Sequence, residues 1–156
     1  MPSSMAALLE GLAEEIEAVQ DLLRLVESEH QTLLQASGSD ELSDLTDKKT
    51  EAVGRISHLT HLRYATLTEQ GYRPDEGGMR DWMAEVSDSV IRERWEFLLS
   101  MAGKVKALNQ LNGQLIAKLM SRNQTILGVL GIATQGAGLY GPDGRSRDLG
   151  IRKLTR

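Results

Sequence analysis

Apolar residues recur along this chain at alternating steps of four and three, and that spacing commits most of it to helices packed on helices. Met5, Leu9, Leu12, Ile16, Val19, Leu23, Val26, His30 and Leu33 trace one such seam, sustained over about four heptads. Leu8, Leu22, Leu25 and Leu34 widen the stripe beyond a two-stranded seam, as a bundle helix requires. A second, near-unbroken pattern runs from Ser89 to Ala133. It places Ile91, Trp95, Leu98, Ala102, Val105, Asn109, Asn112, Ile116, Leu119, Asn123, Ile126 and Leu130 on one side. Met101, Leu108, Leu115 and Arg122 form a rival inward register, so this helix is expected to have two buried faces, one for the bundle and one for a partner. At 1.5 Å per residue, roughly 45 residues of helix extend about 65–70 Å. A compact single-core enzyme of this size needs no such rod.

Between these patterns the breaks are readable. Ser37-Gly38-Ser39-Asp40 holds a helix-ending glycine and candidate caps for a second helix from Glu41 to Gln70. Leu42, Leu45, Ala52, Val53, Ile56, Leu59, Leu62 and Leu67 mark that helix's apolar face, with Asp44, Asp47, Lys48 and Glu51 mostly opposite. Gly54 sits inside it at a cost of about 1 kcal/mol against alanine. The stretch Gly71-Tyr72-Arg73-Pro74-Asp75-Glu76-Gly77-Gly78 reads as a loop, and a short helix from Met79 to Val86 would bury Met79, Trp82, Met83 and Val86. The expected fold is all-α: an antiparallel bundle of three long helices plus one short helix over residues 1–135. A flexible, glycine-rich basic tail, 136–156, follows.

Hydrophobic residues make up 40% of the chain but aromatics only 4%, which suits an aliphatic helical core better than a sandwich. Without cysteine there is no disulfide and no thiolate metal site, as fits a reducing compartment. No run approaches the ~18 apolar residues that cross a bilayer. The start, Met1-Pro2-Ser3-Ser4-Met5, lacks the basic region of a secretory signal. A cytoplasmic protein is expected. Residues 1–70 carry thirteen acids against five bases, a balance of −8, whereas residues 134–156 carry two against five, or +3. An acidic front argues against nucleic-acid binding, which needs a basic face.

Candidate chemistry is sparse. His58 and His61, at i and i+3, can face one metal, but no third and fourth ligand joins them, so no metal is expected. Gly128, Gly131, Gly136, Gly138, Gly141 and Gly144 follow a helix and lead into none, the wrong context for a phosphate loop. No paired carboxylates, serine elbow or zinc-protease motif appears; neither an enzyme nor a cofactor is expected. Asn109, Asn112 and Asn123 stand out, because an asparagine inside a seam either sets register through a buried hydrogen bond or bonds to a bound helix.

At Asn109-x-x-Asn112-Gly113-x-x-Ile116, followed by Leu139-Tyr140-Gly141-x-Asp143-Gly144, the chain resembles the FlgN family of flagellar export chaperones. Lys48 and Lys49 on the second helix and Arg63 near its end agree with that pattern in style. The resemblance implies a cytoplasmic escort for the hook–filament junction proteins FlgK and FlgL. Such an escort binds their C-terminal helical segments, prevents early assembly and brings them to the type III export gate, exchanging with a soluble export component that recycles empty chaperones. Cargo would lie along Asn109, Asn112, Leu115, Ile116, Leu119, Arg122, Asn123, Ile126, Leu127 and Leu130, with apolar anchors at helical spacing. Tyr140, with Gly141, Asp143 and Gly144, would dock on the cytosolic domain of the gate. The alternative is a structural coiled-coil or bundle protein that self-associates and carries no cargo.

Overall fold

A computed structural model describes residues 3–35 and 39–129, which form four α-helices and, among the described residues, no strand. They are α1 (Ser4–Leu34), α2 (Ser39–Glu69), α3 (Glu76–Glu85) and α4 (Ser89–Val129). Three long helices and one short one pack as an all-α bundle, as the patterning predicts. The proposed tail, 136–156, lies outside the described residues.

Five of the helix ends have a local cause. Ser3 caps α1 through its hydroxyl, which accepts from the Ala6 amide at 3.1 Å. Asp40 and Glu41 sit in the first turn of α2, where carboxylates favour the helix dipole. Its far end is a Schellman turn: the Tyr72 amide donates to Leu67 O at 2.9 Å and the Gly71 amide to Thr68 O at 3.0 Å. Gly71 takes φ +86° there, the left-handed geometry that glycine adopts without strain. Asp75 then caps α3, its carboxylate accepting from the Gly78 amide at 2.7 Å. This cap starts α3 three residues earlier than the sequence suggests, so Gly77 and Gly78 belong to its first turn and not to the loop. Gly78 is required by space, because a Cβ would lie 1.9 Å from Arg73 O. Asp88 caps α4 through bonds from the Val90 and Ile91 amides at 2.9 and 3.1 Å.

The chain divides into two compact units. Unit 1 comprises Met1–Arg24 and Thr50–Lys104; unit 2 comprises Leu25–Lys49 and Val105–Arg156. In unit 1, α1 and α2 run antiparallel, with Gln70 bonded to Ser4, Arg63 to Glu15 and Arg55 to Asp21. Its core combines Leu8, Leu12, Val19 and Leu22 with Leu59, Leu67, Met79, Trp82, Met83, Ile91, Trp95 and Leu98. Val86, expected to be buried with the α3 residues, is only half-buried. In unit 2 the described buried apolar residues are Val26, Leu33 and Ile116, and they alternate with polar ones.

The α1 seam differs from the expected one in alternate members. Buried positions are Leu8, Leu12, Glu15, Val19, Leu22, Val26, Glu29 and Leu33. Leu12, Val19, Val26 and Leu33 are shared with the sequence reading, whereas Met5 is exposed and Leu9, Ile16, Leu23 and His30 are half-buried. Two glutamates thus occupy seam positions. On α2 the same shift exposes Val53 and Leu62 and buries Lys49 and Arg63. On α4, Met101 is buried and Ala102 exposed.

Candidate functional site

The polar layer of unit 2 is built by three helices. From α1 come Glu29, fully buried at 0% exposure, His30 and the Val26 carbonyl; from α2 comes Lys49; from α4 come Asn109 and Asn112, the latter also at 0%. The Lys49 ammonium reaches both oxygens of Glu29 at 3.1 Å and Asn109 Oδ1 at 2.7 Å. Asn112 Nδ2 donates to Val26 O and to Glu29 Oε1, each at 2.9 Å. A carbonyl and a carboxylate can only accept, so the amide orientation is set and Oδ1 must face His30. His30 Nδ1, 2.8 Å away, therefore carries the proton. The charges and amides are mutually satisfied, as burial demands.

Unit 1 holds a second buried pair. Arg63 Nε donates to Glu15 Oε1 at 2.8 Å, and its Nη2 reaches Glu76 Oε1 at 3.1 Å. Tyr64 OH donates to the same Glu76 oxygen at 2.7 Å, tying α2 to the start of α3. Arg63 Nη1 is buried without a hydrogen-bond partner. The guanidinium carbon lies 4.8 Å from the Trp95 ring centre and 5.1 Å from that of Tyr64, so π faces supply the compensating electrostatics. Burial raises the Glu15 pKa above 4.5, outweighing the hydrogen bond and charge of Arg63. For Arg63, burial opposes the cation, but Glu15 and then Glu76 more than offset it and the pKa is raised.

The sequence-derived cargo residues fall into three groups. Asn112 and Ile116 are buried inside unit 2, and Asn109 is half-buried against Lys49. Leu119, half-buried, continues the side of α4 that carries Asn112 and Ile116, whereas Leu115, half-buried, and Arg122, exposed, lie round the helix from it. Asn123, Ile126 and Leu127 continue α4 beyond the last described side chain. Leu130, and the gate-docking residues Tyr140, Gly141, Asp143 and Gly144, lie outside the described residues. The structure thus brings Asn109 and Asn112 together, but around Glu29 and Lys49, which the seam reading passed over. Their signal was present: Glu15 and Glu29 are two heptads apart, and so are Lys49 and Arg63, with opposite sign.

The two histidines weighed as metal ligands both lie on the exposed surface of α2. His58 is exposed, and His61 Nδ1 lies 2.7 Å from Ser57 O in its own helix. Among the described residues no group of three donors could hold a metal, and no helix is long and apolar enough to cross a membrane.

The family model described as FlgN protein matches residues 1–148. The chain belongs to the FlgN family. Its FlgN relatives include the flagella synthesis protein FlgN of Salmonella typhimurium, 29% identical over 144 residues and covering 91% of each chain. The protein of the same description from Yersinia enterocolitica is 26% identical over 140 residues, covering 88% of this chain and 87% of its own. A crystal structure of a candidate FlgN from Pseudomonas aeruginosa shares the fold, with a TM-score of 0.61 at 24% identity, over 80% of this chain and 95% of that one. The FlgN match therefore takes in all four helices, and with them both buried ion pairs.

Proposed function

We propose that this FlgN-family protein is a cytoplasmic flagellar export chaperone whose cargo is the C-terminal helical segments of the hook–filament junction proteins FlgK and FlgL. The single observation that carries the reading is the family match through 148 residues, with relatives described as flagella synthesis proteins. The physical form supports it. Proteins that assemble through amphipathic helices expose apolar stripes before assembly, which is an aggregation hazard, and a long helix with a spare apolar face can cover such a stripe. On α4 that role falls to Leu115, Leu119 and Arg122, continued by Asn123, Ile126, Leu127 and Leu130. Asn109, Asn112 and Ile116 act from beneath by holding α4 against α1 and α2. Delivery to the cytosolic domain of the type III export gate is assigned to Tyr140 with Gly141, Asp143 and Gly144, and an export component that recycles empty chaperones is a further partner. The role is binding rather than catalysis, and no cofactor is invoked.

Size-exclusion chromatography of the full chain with C-terminal segments of FlgK and FlgL tests the proposal. A stable complex with one or both is expected. A protein that ignores both segments but elutes as a concentration-dependent oligomer would instead be the self-associating structural bundle.

A further inference from the structure

The chaperone reading leaves open what chemistry a cargo helix must present, and α4 carries an answer. Leu108, Leu111, Leu115 and Leu119 stand at i, i+3, i+7 and i+11, a straight apolar stripe on one side of a helix. Leu111 and Leu115 lie round the helix from Asn112 and Ile116, while Leu108 and Leu119 stand at the margin between this stripe and the buried side. Leu111 is 43% exposed, and the other three are half-buried. Lys118 and Arg122, both exposed, border it. The surrounding sequence is one-sided in charge: from Phe97 to Val129 there are four bases and no acid, in a chain of net charge −4.

We propose that the Leu108–Leu119 stripe of α4, edged by Lys118 and Arg122, is a docking surface for an amphipathic helix that carries carboxylates beside its apolar face. Resting on the chaperone reading, it names the class of cargo segment selected at that site. Charge complementarity decides the occupant. An acidic flank meets the basic edge, whereas a basic helix of equal apolarity is repelled. The chain's own residues 134–156, with five bases against two acids, are disfavoured on the same ground.

The test uses the full-length protein and two fluorescent synthetic helical peptides with one leucine face, flanked in one by glutamates and in the other by lysines. Anisotropy should show the acidic peptide binding roughly tenfold more tightly, a preference that shrinks at high salt, as expected for exposed charge pairs. Lys118→Glu with Arg122→Glu should reverse the preference. Leu111→Asp should lower binding of the acidic peptide at least roughly tenfold, with unchanged helicity because the side chain is already exposed. Equal binding of both peptides, or silence of both variants, would overturn the inference. So would a dimer in the free protein that Leu111→Asp disperses, since a second copy would then be the occupant. A junction-protein segment measured in parallel separates the two ideas. If it binds wild type and both variants equally, the chaperone reading stands and this surface is wrong; if it binds none of them while the acidic peptide still binds the stripe, the chaperone reading fails and the surface stands.

Discussion

Lys49→Met should be among the most damaging single substitutions in this protein, and its cost can be worked from the geometry. Glu29 has no solvent exposure, and its described partners are Lys49, to both oxygens at 3.1 Å, and Asn112, to Oε1 at 2.9 Å. Methionine keeps much of the lysine's volume but removes the ammonium, leaving a buried carboxylate with one amide donor. Stripping one partner from a buried ion pair costs about 3–5 kcal/mol, against a total of about 5–15 kcal/mol for a domain. With a urea dependence near 2 kcal/mol per M, the midpoint should fall by about 2 M. The double variant Glu29→Met with Lys49→Met removes both charges, and Asn112 keeps its bond to Val26 O. It should recover to within about 2 kcal/mol of wild type. Circular dichroism is the assay to use, because Trp82 and Trp95 both lie in unit 1 and report on Lys49 only indirectly. A single variant within about 1 kcal/mol of wild type, or a double variant as unstable as the single, would refute the reasoning.

Glu15 gives a pH-dependent counterpart. Its native pKa is raised above 4.5, so the stability it contributes is fully present below the unfolded value and is lost as pH rises through the raised native one. The stability of wild type relative to Glu15→Gln should therefore decline from about pH 4 upward and then level off; a gap that widens with pH would contradict this. Gly78→Ala, meeting Arg73 O at 1.9 Å, should cost at least about 1–3 kcal/mol, whereas Gly54→Ala, with open space around it, should gain up to about 1 kcal/mol; thermal melts of the two variants should move in opposite directions. Tyr140→Ala should leave junction-segment affinity nearly unchanged while weakening binding to the gate's cytosolic domain, measured by titration of each partner separately. Loss of cargo with retention of the gate would assign Tyr140 to the cargo site instead.

Helix number, order and approximate length were legible in the sequence, because the 3.6-residue period and the capping residues are local signals. Leu12, Val19, Val26 and Leu33 were recognisable as core for the same reason. Asp75 and the glycines behind it suggested loop, and only the bond that Asp75 makes to the Gly78 amide shows that a helix starts there. The other half of the α1 seam could not be read this way. Local pattern sends a glutamate to solvent, since an unpaired buried charge is too costly, and so favours Ile16 over Glu15 and His30 over Glu29. What reverses that preference is a cation on another helix: Arg63, 48 residues along the chain from Glu15, and Lys49, 20 residues from Glu29. Asn112 follows the same logic, because its role depends on Val26, Glu29 and His30, more than 80 residues away. The periodicity of a helix is written in its own residues, but whether a charge can be buried depends on what the fold places opposite it.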